Sequence, residues 1–257
     1  MLISLKDIKN LVKMKKARDE QGLFVTEGRK LFTEAPKKDI VCVVTTKAYE
    51  KEHAAELAAL PKSVGVIADL DDKRFAGLSD TKTPQGILTV MKKPSFDMEA
   101  ALAAPSPLYL LLENLQDPGN AGTILRTAEA AGVTAVFLTE GSVDFTNPKT
   151  VRSTMGSVFR VPHFYVDDVD KLLARFRKNG VTTYAAHLKG DRGYTDAQYK
   201  SGTAFFIGNE GRGLTDGLSD RADVLMKIPM SGQVESLNAA MAAGILMYEA
   251  KRQRSLP

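Results

Sequence analysis

The chain has 257 residues, 44% hydrophobic and 26% charged, which suits one large or two modest globular domains and excludes a disordered or collagen-like chain. One cysteine, Cys42, excludes an intrachain disulfide framework and a cysteine-cluster metal site, and the histidines His53, His163 and His187 stand too far apart for metal-ligand spacing. The net charge of +4 is uneven: residues 1–93 hold 18 Lys+Arg against 13 Asp+Glu, and residues 94–257 hold 17 against 18. That asymmetry hints at a polyanion partner for the front half, although without a long basic run it reads more simply as a solvated surface. No secretory leader or membrane-spanning run is visible, so a reduced, cytoplasmic setting is the default expectation.

Residues 3–16 place Ile3, Leu5, Ile8, Leu11 and Val12 on one helical face, opposite a lysine-rich one. A short helix is expected over 27–35, ended by Pro36, then a β-branched strand over 40–44 and a helix over 48–60 that stops before Pro61. A strand at 86–90 completes a small α/β unit, assigned to residues 1–93. Proline at 94, 105 and 107 removes backbone donors, so a linker is placed at 94–106. A second domain, 107–257, opens with the strand 108–112 and a helix at 121–131 closed by Gly132. Strands at 135–138, 182–185, 204–207 and 224–228 alternate with helices at 149–158, 169–179 and 236–251. Such alternation means a mainly parallel sheet covered on both faces, with ligands bound beyond the C-terminal strand ends.

Candidate chemistry follows those strand ends. After the first strand, Asn120 suits an N-cap, and Arg126 stands on the second helical turn. In isolation Arg126 reads as a solvated arginine. Lys149, Thr150, Arg152, Ser153, Thr154 and Gly156 would suit a phosphate or, more simply, a polar helix end. Gly208, Gly211 and Gly213 make a tight loop with exposed backbone groups, with no dinucleotide fingerprint because no helix immediately follows. Ser236 is placed to cap a last helix rich in small side chains.

Together these segments resemble the SpoU (TrmH-type) RNA ribose methyltransferases of the SPOUT superfamily. The resemblance rests on three motifs in order: Asn120-Ala121-Gly122 with Arg126-Thr127; Arg152 with Thr154-Met155-Gly156; and Gly208-Asn209-Glu210-Gly211 with Gly213, then Ile228-Pro229-Met230, then Glu235-Ser236-Leu237-Asn238. It covers about residues 106–252. Thr154 departs from the serine more usual there but keeps a hydroxyl. A shorter likeness, through 24–28 and 83–86, joins the front domain to the ribosomal-protein-like RNA-binding domain of the same family.

The resemblance implies an α/β architecture: a small RNA-binding domain, then a SPOUT domain with a mainly parallel sheet and a C-terminal deep trefoil knot. It implies S-adenosylmethionine held near Leu138, Thr139, Gly208, Asn209, Gly213, Ile228, Met230, Ser236 and Leu237, with no metal and no membrane. Arg126 would be the central catalytic residue, with Asn120, Glu210, Ser236 and Asn238 beside it. Members act as homodimers. The reaction would methylate a ribose 2′-hydroxyl, which only RNA offers. An appended front domain favours rRNA over tRNA. Lys6, Lys9, Lys13, Lys15, Lys16, Arg18, Arg29, Lys30 and Arg152 are candidate RNA contacts. A nucleotide-binding enzyme of another class would leave Arg126 unexplained, and a non-catalytic RNA-binding protein would not need the motif residues intact.

Overall fold

The computed structural model describes residues 3–187, 189–233 and 236–256. The first unit comprises residues 3–95 with 144–159, and the second comprises 96–143 with 160–256.

In the first unit α1 (Leu5–Lys13) starts at a capping box, in which the Ser4 hydroxyl accepts from the Asp7 N–H and the Asp7 carboxylate accepts from the Ser4 N–H. Helix α2 (Lys15–Gln21) ends at Gly22 in the left-handed region, φ +64°. Strand β1 (Leu23–Glu27), α3 (Arg29–Glu34), β2 (Ile40–Thr46), α4 (Lys47–Ala58), β3 (Gly65–Leu70), α5 (Asp72–Ala76) and β4 (Ile87–Lys92) follow. Their sheet runs β1-β4-β2-β3, antiparallel except for the last pair. Ile8, Leu11, Val25, Val44, Phe75 and Val90 form its core.

The second unit begins with α6 (Met98–Leu102), inside the segment expected as a linker. The Asp97 carboxylate caps it, Ala101 and Leu102 are buried, and the Tyr109 hydroxyl donates to the Ala101 carbonyl at 2.8 Å. Apolar side chains with a cap thus make a helix where proline content suggested none. Strand β5 (Leu108–Leu112), α7 (Pro118–Ala131) and β6 (Ala135–Thr139) come next. Helix α8 (Pro148–Thr154) belongs to the first unit. Strand β7 (His163–Val166), α9 (Val169–Lys178), β8 (Thr182–Ala186), β9 (Arg192–Gly193), β10 (Thr203–Ile207), α10 (Asp216–Ser219), β11 (Val224–Lys227) and α11 (Ala239–Ser255) complete the chain.

The second sheet has the order β7-β6-β5-β10-β8-β11-β9, and every pairing is parallel. Central strands β5 and β10 are buried along their whole length, which explains their uninterrupted apolar sequences. Tyr109, Phe137, Phe164 and Phe176 stack or meet edge-on with ring centroids 4.9–5.6 Å apart. Each of the three fully buried rings, Tyr109, Phe137 and Phe176, contributes roughly 1.5–3 kcal/mol, and Phe164 packs partly buried against them. Arg254 fastens the end of α11, donating to the carbonyls of Ser106, Pro107, Tyr199 and Ser201. Among the described residues no helix is long and apolar enough to cross a membrane.

Candidate active site

Strand β10 runs out into the glycine-rich loop 208–213, and the backbone dictates its glycines. The N–H of Asn209 donates to the Gly213 carbonyl and the N–H of Gly213 to the Asn209 carbonyl, at 3.0 and 2.9 Å. The loop folds back so closely that a Cβ on Gly208 would lie 2.1 Å from the Gly213 carbonyl carbon, and Gly213 itself has φ +68°. The Asn209 side-chain oxygen accepts from the N–H groups of Gly211 and Arg212, while its amide donates to the Asn114 carbonyl.

Beside this loop lies a cavity of about 500 Å³, at the C-terminal ends of β8, β10 and β11. Gly208, Asn209, Gly213, Ile228, Met230, Ser236 and Leu237, all expected from sequence, line it. Leu138 and Thr139 are not in its lining: Leu138 is fully buried, and the Thr139 hydroxyl accepts from the Asn114 N–H at 3.0 Å. Ala186, His187, Lys189, Arg212, Lys227, Ala239 and Ala242 also line the cavity and were missed. Position at a strand end was the signal for Ala186 and His187, since the β8 strand was legible. Small side chains and exposed backbone groups leave room for a flat heterocycle and supply hydrogen bonds to its edge.

The other motif residues meet at a carboxylate. Glu210 accepts from the N–H groups of Gln116 and Asp117, at 3.1 and 2.9 Å, and from the Asn120 amide at 3.1 Å. Burial pushes its carboxyl up, but these donors outweigh burial and hold it below the usual carboxylate range. Asn120 in turn accepts from the Asn238 amide at 2.8 Å. The Asn238 oxygen accepts from the N–H groups of Ala240 and Met241, so Asn238, and not Ser236, caps α11. Likewise Asp117, with Pro118 behind it, caps α7, and Asn120 lies within the first turn. Ser236 is exposed at the cavity, and Glu235 of the same motif lies outside the described residues.

Arg126 is exposed on α7 and has no hydrogen-bond or ion-pair partner among the described residues. Glu210 binds Asn120 and backbone, not Arg126.

In the first unit Lys6, Lys9 and Lys13 stand exposed on one face of α1. Lys15 and Lys16 pair with Asp19 and Glu20, Lys30 with Glu34 and Arg29 with Glu56. Arg18 departs from expectation. It is 2% exposed, donates twice to the Asp144 carboxylate at 2.7 and 3.0 Å and once to the Leu11 carbonyl, so it is a buried structural cation and offers no surface to RNA. Arg152 is half-buried and bonds Asp80 at 3.2 Å, and Thr154 donates to the Val151 carbonyl. Met155 adopts φ +50° just before Gly156, a conformation costly for a side chain.

Comparison with known proteins matches residues 107–248 to the SpoU rRNA Methylase family and residues 4–89 to an MRM3-like substrate binding domain. The chain is 34% identical over 250 residues to the 23S rRNA (guanosine(2553)-2'-O)-methyltransferase RlmP of Bacillus subtilis, covering 95% of this chain and 94% of that protein. An AdoMet-bound rRNA methyltransferase from Sinorhizobium meliloti superposes with TM-score 0.84 at 32% identity, covering 98% of this chain and 95% of the other. The SpoU methyltransferase AviRb from Streptomyces viridochromogenes, in complex with AdoMet, superposes with TM-score 0.87 at 26% identity, covering 99% and 98%.

Proposed function

We propose that this chain, which belongs to the SpoU rRNA methylase family, is an S-adenosylmethionine-dependent methyltransferase acting on a ribose 2′-hydroxyl of RNA, and of rRNA in particular. The observation that carries the reading is the Glu210–Asn120–Asn238 chain of hydrogen bonds. It ties the first motif and both halves of the third to the loop beside the cavity.

The cofactor, when bound, supplies a methyl group already activated by a positively charged sulfur. Gly208, Asn209, Ile228, Met230 and Leu237 would hold it, and the site suits it: about 500 Å³, small walls and a loop whose backbone a side chain at 208 would disrupt. The remaining difficulty is the nucleophile, because a ribose hydroxyl is scarcely ionised at neutral pH. The chain must orient that oxygen and stabilise negative charge developing on it. Arg126 is suited to this as a cation, gripping the adjacent phosphate and the developing alkoxide. Its guanidinium offers five N–H donors and no acceptor, so it serves as a donor and not as a base. A phosphate oxygen or water then takes the proton. Asn120, Glu210 and Asn238 already satisfy one another, so they act as positioning residues.

A homodimer through the second unit is part of this reading. Met241, 61% exposed, and Tyr248, 49% exposed, flank Ile245 on one side of α11, an apolar stripe suited to a second copy. The C-terminal trefoil knot belongs to the same proposal, and the all-parallel strand order accords with it. The matched substrate-binding domain and the basic front half support rRNA over tRNA.

Incubation with rRNA and, separately, tRNA from cells lacking the protein and isotope-labelled S-adenosylmethionine, followed by nuclease digestion and mass mapping, tests the reading. A labelled 2′-O-methyl nucleoside from rRNA is the expected product. Label on a base, or on tRNA alone, would overturn the assignment.

A further inference from the structure

A second cavity, of about 540 Å³, lies within the first unit, and methyl transfer makes no use of it. Arg29, Thr46, Tyr49, His53, Gln85 and Gly86 are among its walls. Its frame depends on two glycines with positive φ. At Gly28, φ +98°, a Cβ would lie 2.7 Å from the Gln85 side-chain oxygen, and at Gly86, φ +76°, one would lie 2.7 Å from the Thr46 hydroxyl. Those two acceptors are in use: the Gln85 oxygen accepts from the Arg29 N–H at 3.1 Å, and the Thr46 hydroxyl from the Tyr49 N–H at 3.2 Å. Close backbone packing therefore presets the side chains that line the space.

Tyr49 is 5% exposed, and its buried hydroxyl has no hydrogen bond among the described residues. Burial, and then the Glu56 charge, push this phenol up to about 12, so it stays a neutral donor. The Tyr49 and His53 rings lie 4.4 Å apart at 48°, forming an aromatic wall. The charges do not favour an anion, because Glu56 neutralises Arg29 and the carboxylates of Glu52 and Asp72 also line the cavity. A flat, uncharged ring with donors and acceptors on its edge matches both the aromatic wall and the mixed polar groups.

We propose that this cavity receives one unstacked nucleobase from a single-stranded segment of the RNA, lying against the Tyr49–His53 wall with its edge toward the polar side chains of Arg29, Thr46 and Gln85. The proposal rests on RNA as the substrate and adds a base-binding subsite in the first unit, separate from the methyl-transfer cavity.

The full chain has three histidines, which makes the test direct. His53 lines this cavity and His187 lines the methyl-transfer cavity. In NMR spectra of the imidazole rings, S-adenosylhomocysteine is expected to move the His187 signals. A short mixed-sequence single-stranded RNA is expected to move those of His53. The same RNA made abasic, or annealed into a duplex, is expected to leave His53 unmoved. Ala48→Trp, at an exposed wall position, fills the cavity without entering the core and lowers affinity for the single strand about tenfold. The subsite is overturned if RNA binds and His53 stays silent, if the abasic strand moves His53 equally, or if Ala48→Trp binds like the parent. A His187 response to S-adenosylhomocysteine in those cases leaves the methyltransferase reading standing, whereas silence at both histidines removes both.

Discussion

The Asn238 amide donates to the Asn120 side-chain oxygen at 2.8 Å, joining residues 118 positions apart in the chain. Each is committed twice over: Asn120 also donates to Glu210, and the Asn238 oxygen also caps α11. The start of α7, the start of α11 and the glycine-rich loop therefore share one hydrogen-bond path, and displacing any member shifts the rim of the methyl-transfer cavity.

Asn120→Ala removes both bonds at once. The Glu210 carboxylate keeps its two backbone donors, but the Asn238 amide loses its acceptor, and the loop and helix can drift apart. A misplacement of about 1 Å costs about 100-fold in rate. Single-turnover methyl transfer at saturating RNA and cofactor should fall by about that factor, while thermal stability changes little. Glu210→Gln should be worse for folding of the loop, because an amide N–H₂ can face the backbone N–H groups that the carboxylate now accepts, at about 1–3 kcal/mol. The Glu210 carboxyl sits below its ordinary range, so its stabilising contribution is complete above about pH 4.3 and is lost as pH falls further. Activity between pH 6 and 9 should therefore show no titration from this group, and an acidic limb assigned to it in that range would contradict the geometry.

Arg18 and Asp144 form a buried ion pair within the first unit, 126 residues apart in sequence. Arg18→Ala leaves the carboxylate without its cation and should cost about 3–5 kcal/mol in chemical denaturation. Burial raises the Asp144 carboxyl, but bonds from Thr146 and Arg18 more than reverse that and hold it below the usual range. The pair's contribution is thus whole above about pH 3.9 and fades as pH drops through the lower folded-state value. Acid unfolding should begin at higher pH in Arg18→Ala than in the parent. The folded variant should bind RNA with unchanged salt dependence, and a lower slope would return Arg18 to the RNA-contacting set.

Lys6, Lys9 and Lys13 share the exposed face of α1 with no ion-pair partner among the described residues. If each neutralises one phosphate, the triple change to glutamine lowers the slope of log affinity against log salt by about 2 for a single strand. The same experiment on Lys15, Lys16 and Lys30 should give a smaller change, because acidic neighbours already compensate those charges. Equal slopes for the two triples would remove α1 as the RNA-facing element.

The central strands of the second sheet were legible because burial on both faces writes itself as an unbroken apolar run, as in Leu108–Leu112. Edge strands were not. Gly65–Leu70 buries only its last residue and His163–Val166 is largely half-exposed, and their apolar runs, Val66-Ile67-Ala68 and Phe164-Tyr165-Val166, are only three residues long. Strand Leu23–Glu27 also escaped notice, since its identity comes from antiparallel pairing with Ile87–Lys92 rather than from its own short sequence. The same locality limits the site. Gly208, Ile228 and Leu237 could be placed at the cavity because their motif carries them, whereas Lys189 and Lys227 reach it through the return of β8 and β11, which a linear pattern does not show. Arg18 illustrates the reverse error: a cation in a basic stretch looks solvated until Asp144 folds onto it.

Among the described residues the Arg126 guanidinium is unpaired, and Arg126→Lys separates its two possible roles. As a planar cation it holds a phosphate oxygen and the 2′-oxygen with two parallel N–H donors, and a lysine ammonium reproduces the charge but not the fork. In that case Arg126→Lys lowers kcat at saturating RNA and cofactor by about 10-fold to 1,000-fold, as loss of one preorganised donor does elsewhere. The pH dependence keeps its shape, because lysine remains protonated across pH 6–9. A base role predicts the opposite profile. Lysine titrates near 10.4, below arginine, so a lysine base would gain activity steeply as pH rises and would overtake the parent at the alkaline end. Measuring single-turnover rates from pH 6 to 10 for both proteins decides the matter: parallel profiles keep Arg126 as a charged positioner of the nucleophile, and a crossing removes that role.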